Sequence, residues 1–322
     1  MSSLDAAIYN EARLARIAAE AGSRSPLKLS VPFFQSGTWT APQDGVLEMR
    51  AMGAGGGGAK QVSSTGGYSG AWGAKTVRVR KGDVVTLAIG AGGAATSVIG
   101  NGAAGGATAI THAGITRSAP GGPGGIGQAS GVPVVLNGPA LPVADWDFGA
   151  ASVKPGAANG ANTGGAGVDI YAQGNNATTS ESVGYSGGAG TGGPGNGPRG
   201  GGAFRYPIAL RGADANGRLP VDAGTYLDAS DGEWIISFYG GGGSAWTSQP
   251  GGNGAGGASG QGNATGGNGG NGGGGGSATG SFISGGGGIG GGGGGNGPNA
   301  GYPAGGGGNG YACLHFYPDT GV

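Results

Sequence analysis

The stretch GNATGGNGGNGGGGGSATGSFISGGGGIGGGGGGNGPNAGYPAGGGGNGYACLHFY, from Gly262 to Tyr317, decides how the chain is read. It is either a flexible tether or a folded body built almost without side chains. Between Gly240 and Gly310, 38 of 71 residues are glycine, and no Asp, Glu, Lys or Arg occurs from 234 to 318. Ordering a residue costs about 1–2 kcal/mol of backbone entropy, and glycine costs about 0.5–1 kcal/mol more than alanine. Only dense hydrogen bonding recovers such a deficit, so a Gly/Ser linker is the simpler structure. Two features oppose the linker. The chain closes on an apolar strand, with Ala312, Leu314 and Phe316 alternating with Cys313, His315 and Tyr317, and that strand must return to a core. The glycine runs are also broken by SAWTSQP, ATGSFIS and NGPNAGYPA, which a linker has no reason to carry.

Known glycine-rich folds narrow the choice. Collagen needs glycine at every third position, and that register breaks at Gln261-Gly262 and again after Gly276. A calcium-binding β-roll needs repeated Asp, which the segment lacks. What remains is a bundle of glycine helices in the polyproline-II conformation, with three residues per turn and no internal hydrogen bonds. Their N–H and C=O groups must then pair between helices. The reading is a rigid, folded body.

The rest of the chain frames this body. The 322 residues contain 89 glycines, against an ordinary share of about 7%, and only 10% are charged, with 16 basic and 16 acidic. A neutral chain lacks the clustered cations that nucleic acid requires, and low net charge does not fit ordinary disorder. Cys313 is the single cysteine, so no intrachain disulfide forms. No secretory signal pattern and no apolar run of about 20 residues is present, so neither a standard export route nor membrane insertion is expected.

The one helical pattern is at the start. Ser2 or Ser3 can cap it and Gly22 can end it. Leu4, Ala7, Ile8, Leu14, Ala15, Ile17, Ala18 and Ala21 share one face, opposite Asp5, Arg13, Arg16 and Glu20. That face either packs on its own domain or docks on a partner or on copies of itself. From Leu27 the pattern becomes β. Val46, Glu48 and Arg50 alternate with Leu47, Met49 and Ala51, and a hairpin is expected around Lys81-Gly82-Asp83, with Val77 and Val79 facing Val85 and Leu87. GATAITHAGITRSA reads as a short strand pair, and further pieces lie in VPVVLNGPALPVADWDF, AFRYPIALRG and DGEWIISFYGGGGSAW. The expected fold is mainly β: an attachment helix over 1–24, an antiparallel β-sandwich-like domain over 25–240, and a polyglycine-II bundle with a closing strand over 241–322.

SGTWTAPQDGVLEMRAMGAGGGGA, VRKGDVVTLAIGAGG, GGATAITHAGITRSAPGGPGG and the closing GGGGNGYACLHFY resemble the glycine-rich domains of bacteriophage tail-fibre and receptor-binding proteins. The C-terminal part is also similar to the adhesins that cap the long tail fibres of T-even-like phages. The resemblance covers most of residues 36–125 and 240–318 and rests on pattern more than on invariant chemistry. It implies a virion protein on a tail or fibre, with polyglycine helices presenting variable loops to a host receptor, which would be an outer-membrane protein, pilus or polysaccharide. The N-terminal helix and β region depart from the fibre-binding domain of those adhesins.

Motifs of enzyme chemistry are present only in outline. GYSGG, Gly184 to Gly188, matches the nucleophile elbow, but no helix follows and His112 and His315 are the only histidines. Repeats of G-x-G-x-x-G lack the following helix that phosphate binding uses. Asp145 and Asp147 offer two carboxylates to a cation, fewer oxygens than a calcium site takes, and solvation is the plainer reading. No enzyme activity, cofactor or metal is therefore expected. Aromatic residues are the better candidates, since they carry large contact area at low entropic cost. Trp246, Phe282 and Tyr302 interrupt glycine runs, and Trp146 and Phe148 sit in VADWDFG. They either face a receptor or cover the bundle ends. Leu4, Ile8, Leu14 and Ile17 are expected to attach the chain to other tail proteins or to form a homo-oligomer, a trimer foremost. A structural fibre or head decoration without its own receptor is the alternative, and an ice-binding protein a third.

Overall fold

The computed structural model describes residues 29–129, 139–142, 144–152, 165, 184–185, 203–205, 208–210, 265–270, 272–278, 282–297 and 301–319. The expected helix over 1–24, with Leu4, Ile8, Leu14 and Ile17, lies outside these residues, as does Trp246.

Fourteen strands occur among the described residues, and every pairing between them is antiparallel. They are β1 (Leu29–Phe33), β2 (Gly37–Thr40), β3 (Gly45–Met52), β4 (Ser63–Ser64), β5 (Trp72–Val79), β6 (Val84–Ala88) and β7 (Thr108–His112). After them come β8 (Ile115–Ala119), β9 (Gly127–Gln128), β10 (Phe148–Ala150), β11 (Gly184–Tyr185), β12 (Ala203–Arg205), β13 (Ile208–Leu210) and β14 (Tyr311–Pro318). One sheet has the order β1-β14-β3-β5-β10 and a second β2-β6-β7-β8. β4 pairs with β9, and β11-β12-β13 form a small sheet of their own.

Alternation along β3 explains the core. Leu47, Met49 and Ala51 join Ala312, Leu314 and Phe316 of β14 and Val79 of β5 in one apolar cluster. Val85, Leu87 and Ile110 of the second sheet complete it, and the Trp39 ring meets Phe316 at 5.4 Å. The other face of β3 is buried as well, including Glu48 and Arg50. There the Arg50 Nε donates to Glu48 Oε1 at 2.7 Å. β14 thus sits inside the first sheet, between β1 and β3, as its apolar pattern requires.

One expectation about the β region is corrected. No hairpin forms at Lys81-Gly82-Asp83: β5 pairs with β3 and β10, whereas β6 pairs with β2 and β7. The turn carries the chain from one sheet to the other, so Val79 and Val85 meet within the shared core instead of side by side. It is held by Asp83, whose N–H reaches Arg80 O at 3.0 Å and whose carboxylate accepts the Arg80 N–H at 2.8 Å. The expected strand pair over 108–119 does form, with a two-residue turn in which Ala113 (φ 50°) and Gly114 (φ 75°) are both left-handed. The hairpin of β12 and β13 likewise falls in AFRYPIALRG.

Glycine segments from both halves of the sequence belong to one hydrogen-bonded network. Residues 53–60, continuing from β3, donate to three neighbours in rotation. Gly53, Gly56 and Ala59 bond to Ala71, Tyr68 and Thr65; Ala54, Gly57 and Lys60 bond to Gly106, Ala103 and Gly100; Gly55 and Gly58 bond to Gly308 and Gly305. These bonds measure 2.8–3.1 Å. The same residues accept from three further segments: from Gly122 and Gly125, from Gly293 and Asn296, and from Gly93. Successive N–H groups thus point to different neighbours, and the pattern repeats every three residues. The step of three recurs farther along, with Gly266, Gly269, Gly272 and Gly275 donating to Ile283, Gly286, Ile289 and Gly292. Glycine is required because the segments touch: a Cβ on Gly58 would lie 2.1 Å from the Gly294 carbonyl oxygen.

Candidate functional site

The glycine segments run outward from the strands and return to them. β3 leads into 53–61, and 65–71 leads back to β5. β6 and β7 are joined through 90–96 and 102–106 in the same way, and 304–310 enters β14. The turns near the sheets, at Gly272 (φ 75°) and Gly290 (φ 70°), are tight and glycine-only in conformation. The far turns are longer and carry side chains.

Several contacts bring those far loops to one end. β4 in the loop after residue 61 pairs with β9. Lys60 bridges to Gly100 and to Asn296, and Ala278 also bridges to Asn296. Ala304 N–H bonds to Thr96 O at 2.9 Å, placing 301–303 beside 96–101. On this end Val62, Val98, Ile99, Ile283 and Tyr302 are exposed, five of the nine large exposed apolar side chains among the described residues. Val98 is the extreme, at 71%. Among the described residues no exposed acidic or basic side chain accompanies them: Lys60 is buried, and its Nζ donates to Ser97 O at 2.9 Å. The described part of this end therefore carries exposed apolar side chains among uncharged polar ones such as Ser97 and Asn101.

The residues expected from the sequence divide clearly. Tyr302 is exposed on this end and Phe282 is half-buried beside Ile283. Trp146 is not available to a partner. It is 4% exposed, belongs to the hydrophobic core cluster and donates from Nε1 to Ser118 O at 3.2 Å. Its ring occupies the space above Gly73, where a Cβ would come within 2.4 Å of it. Phe148 lies on β10, paired with Ala74 and half-buried, so it lies on the edge strand of the first sheet instead of in a free loop. Val62, Val98, Ile99 and Ile283 escape an aromatic criterion. TSVIGNG, which carries Val98 and Ile99, interrupts a Gly/Ala run just as the aromatic separators do, and that is the readable signal.

Asp147 and the two histidines have structural partners, whereas Ser186 of GYSGG lies outside the described residues. Asp147 accepts from Lys75 Nζ at 2.8 Å and from the Thr76 N–H at 2.9 Å. His315 Nδ1 lies 3.0 Å from Ser30 Oγ, and His112 faces Asp83 at 3.6 Å. No group of three His, Cys, Asp or Glu side chains that could hold a metal is found among the described residues. No helix among them is long and apolar enough to cross a membrane. Compared with known proteins, the chain matches no family model and no curated protein.

Proposed function

We propose that this chain is a bacteriophage virion adhesin, exposed on a tail or tail fibre, whose far loops bind a receptor on the host surface. In this reading the glycine segments are polyglycine-II helices packed as a bundle, and the bundle holds the loops away from the particle. The N-terminal residues join other tail proteins or further copies of the chain, as a trimer. The observation that carries the reading is the uncharged surface of Val62, Val98, Ile99, Ile283 and Tyr302 at one end of the body. Contiguous exposed apolar surface marks interaction sites, and the absence of charge favours an apolar protein face over an anionic polysaccharide.

Purified protein is expected to adsorb to host cells and to block infection by the parent particle. Particles carrying Phe282→Ala with Tyr302→Ala should adsorb at least tenfold more weakly, since a central aromatic contributes about 1–3 kcal/mol. Unchanged adsorption, with an unchanged thermal melt, would sink the assignment and favour a fibre or decoration protein without its own receptor.

One observation favours ice binding as a second reading. Thr38, Thr86, Thr111 and Thr116 stand in register across all four strands of the second sheet, on its outer side. Thr111 and Thr116 share a hydroxyl hydrogen bond of 2.8 Å. Strand twist of about 20–25° per neighbour bends such a row away from a flat plane, so the receptor reading stands first. Thermal hysteresis by the purified protein, abolished in Thr86→Lys, would reverse that order.

A further inference from the structure

We infer that Asn296, with Lys60, is the positioning element that holds the far loops as one preorganised surface, and this rests on the receptor reading only for its consequence in binding. Asn296 is fully buried, yet it reaches loop after loop of that end. Its Nδ2 donates to Phe282 O at 2.7 Å and to Pro303 O at 3.1 Å, tying the neighbours of Ile283 and Tyr302 together. Its Oδ1 accepts the Gly297 N–H at 2.8 Å, fixing the amide's orientation. The backbone completes the contacts: Asn296 N–H donates to Ala59 O, and Asn296 O accepts from the Gln61 N–H and from Ser64 Oγ, both at 3.0 Å. That draws in the loop carrying Val62.

Lys60 supplies the remaining loop. Its backbone exchanges two hydrogen bonds with Gly100, and its ammonium meets Ser97 O beside Val98 and Ile99. A buried Lys and a buried Asn at the end of a glycine body are costly unless bonded, and here the Asn296 amide reaches two loop carbonyls and the Lys60 ammonium a third. Fully bonded buried polar groups rigidify what they join. A surface rigid before contact loses less ordering entropy on binding. The exposed side chains therefore make the contact, while the two buried ones set its shape.

The test combines amide exchange with adsorption in the full-length chain. Asn296→Leu removes both Nδ2 donors at similar volume, and Lys60→Met keeps the apolar stem while removing the ammonium. Asn296→Leu should speed exchange of the amides over 282–284 and 301–304 about tenfold or more, and Lys60→Met those over 97–101. Exchange over 53–58 should remain at the wild-type rate in both. Adsorption should fall at least about fivefold, although Val62, Val98, Ile99, Ile283 and Tyr302 are all retained. Lys60→Arg, which restores a donor, should recover exchange protection and adsorption together.

Wild-type loop exchange in either folded variant would overturn the positioning role. Uniformly faster exchange throughout the body would also overturn it, because that pattern means general destabilisation. Should Asn296→Leu fail to fold, Lys60→Met alone decides the matter by the same readouts. Loosened loops with undiminished adsorption would overturn the link to binding when Phe282→Ala with Tyr302→Ala does lose adsorption. If neither change affects adsorption, the receptor reading fails while the loop-positioning result stands on exchange alone.

Discussion

Gly287→Ala is expected to destabilise the protein by about 3 kcal/mol or more, while Gly286→Ala, one residue earlier, leaves it as stable as before or slightly more so. A methyl on Gly287 would stand 2.0 Å from the Gly291 carbonyl oxygen and 2.5 Å from its carbon. Both are backbone atoms bound into the network, so no side-chain rotation relieves the clash. Overpacking in an ordinary core costs about 1–3 kcal/mol because flexible side chains give way; here nothing flexible is in contact. At Gly286 the nearest atoms are 3.5 and 3.6 Å away, ordinary contact distances, and φ lies outside the left-handed region. Alanine there restricts the unfolded chain and should contribute about 0.4–1 kcal/mol of stability. The difference should appear as a melting temperature lower by at least about 6 °C in Gly287→Ala than in Gly286→Ala. Equal melting temperatures would mean that the segments do not pack as closely as described.

Arg50→Met should have an effect of the same size or larger for a different reason. Arg50 and Glu48 are both essentially inaccessible, and they meet through Nε–Oε1 at 2.7 Å and Nη2–Oε1 at 2.5 Å. Removing the guanidinium takes the counter-charge from a buried carboxylate, a loss of about 3–5 kcal/mol. Replacing both, as Glu48→Leu with Arg50→Met, should recover much of that loss, since a buried pair is often no better than apolar residues of similar volume. Denaturant unfolding of the two single variants and the double variant measures the coupling directly. A double variant no better than the sum of its singles would show that the pair does not act as a unit.

The parts legible in the sequence are those whose signal is local. The final strand is legible because its alternating apolar residues cannot end a tether. The hairpin over 108–119 is legible because its turn residues sit between two short β patterns. The connection at Lys81-Gly82-Asp83 misleads because a tight turn looks alike whether its strands pair or diverge into two sheets. Only β3, β10, β2 and β7 distinguish the cases, and their pairing is non-local. Trp146 misleads for a related reason. Asp145 and Asp147 beside it suggest a loop, and nothing near it in sequence announces that Gly73 leaves room for its ring. At the candidate site, Tyr302 is found by its chemistry, whereas Val98 and Ile99 become visible only when their loop is placed beside 301–303.

The three-residue spacing of the hydrogen bonds sets a rule for insertions and deletions. Gly53, Gly56 and Ala59 face one neighbour while Ala54, Gly57 and Lys60 face another. Adding a single residue inside such a segment would hand every later N–H to the wrong neighbour and bring alanine, serine or lysine to positions where only hydrogen fits. Adding three residues would restore the assignment beyond the insertion, and a matching triplet in the paired segments would lengthen the body by one turn. The tips of the far loops obey no such count, because their residues lie outside the three-residue ladder of backbone bonds. Length variation in related chains should therefore come in triplets within the glycine segments and in any number at the loops.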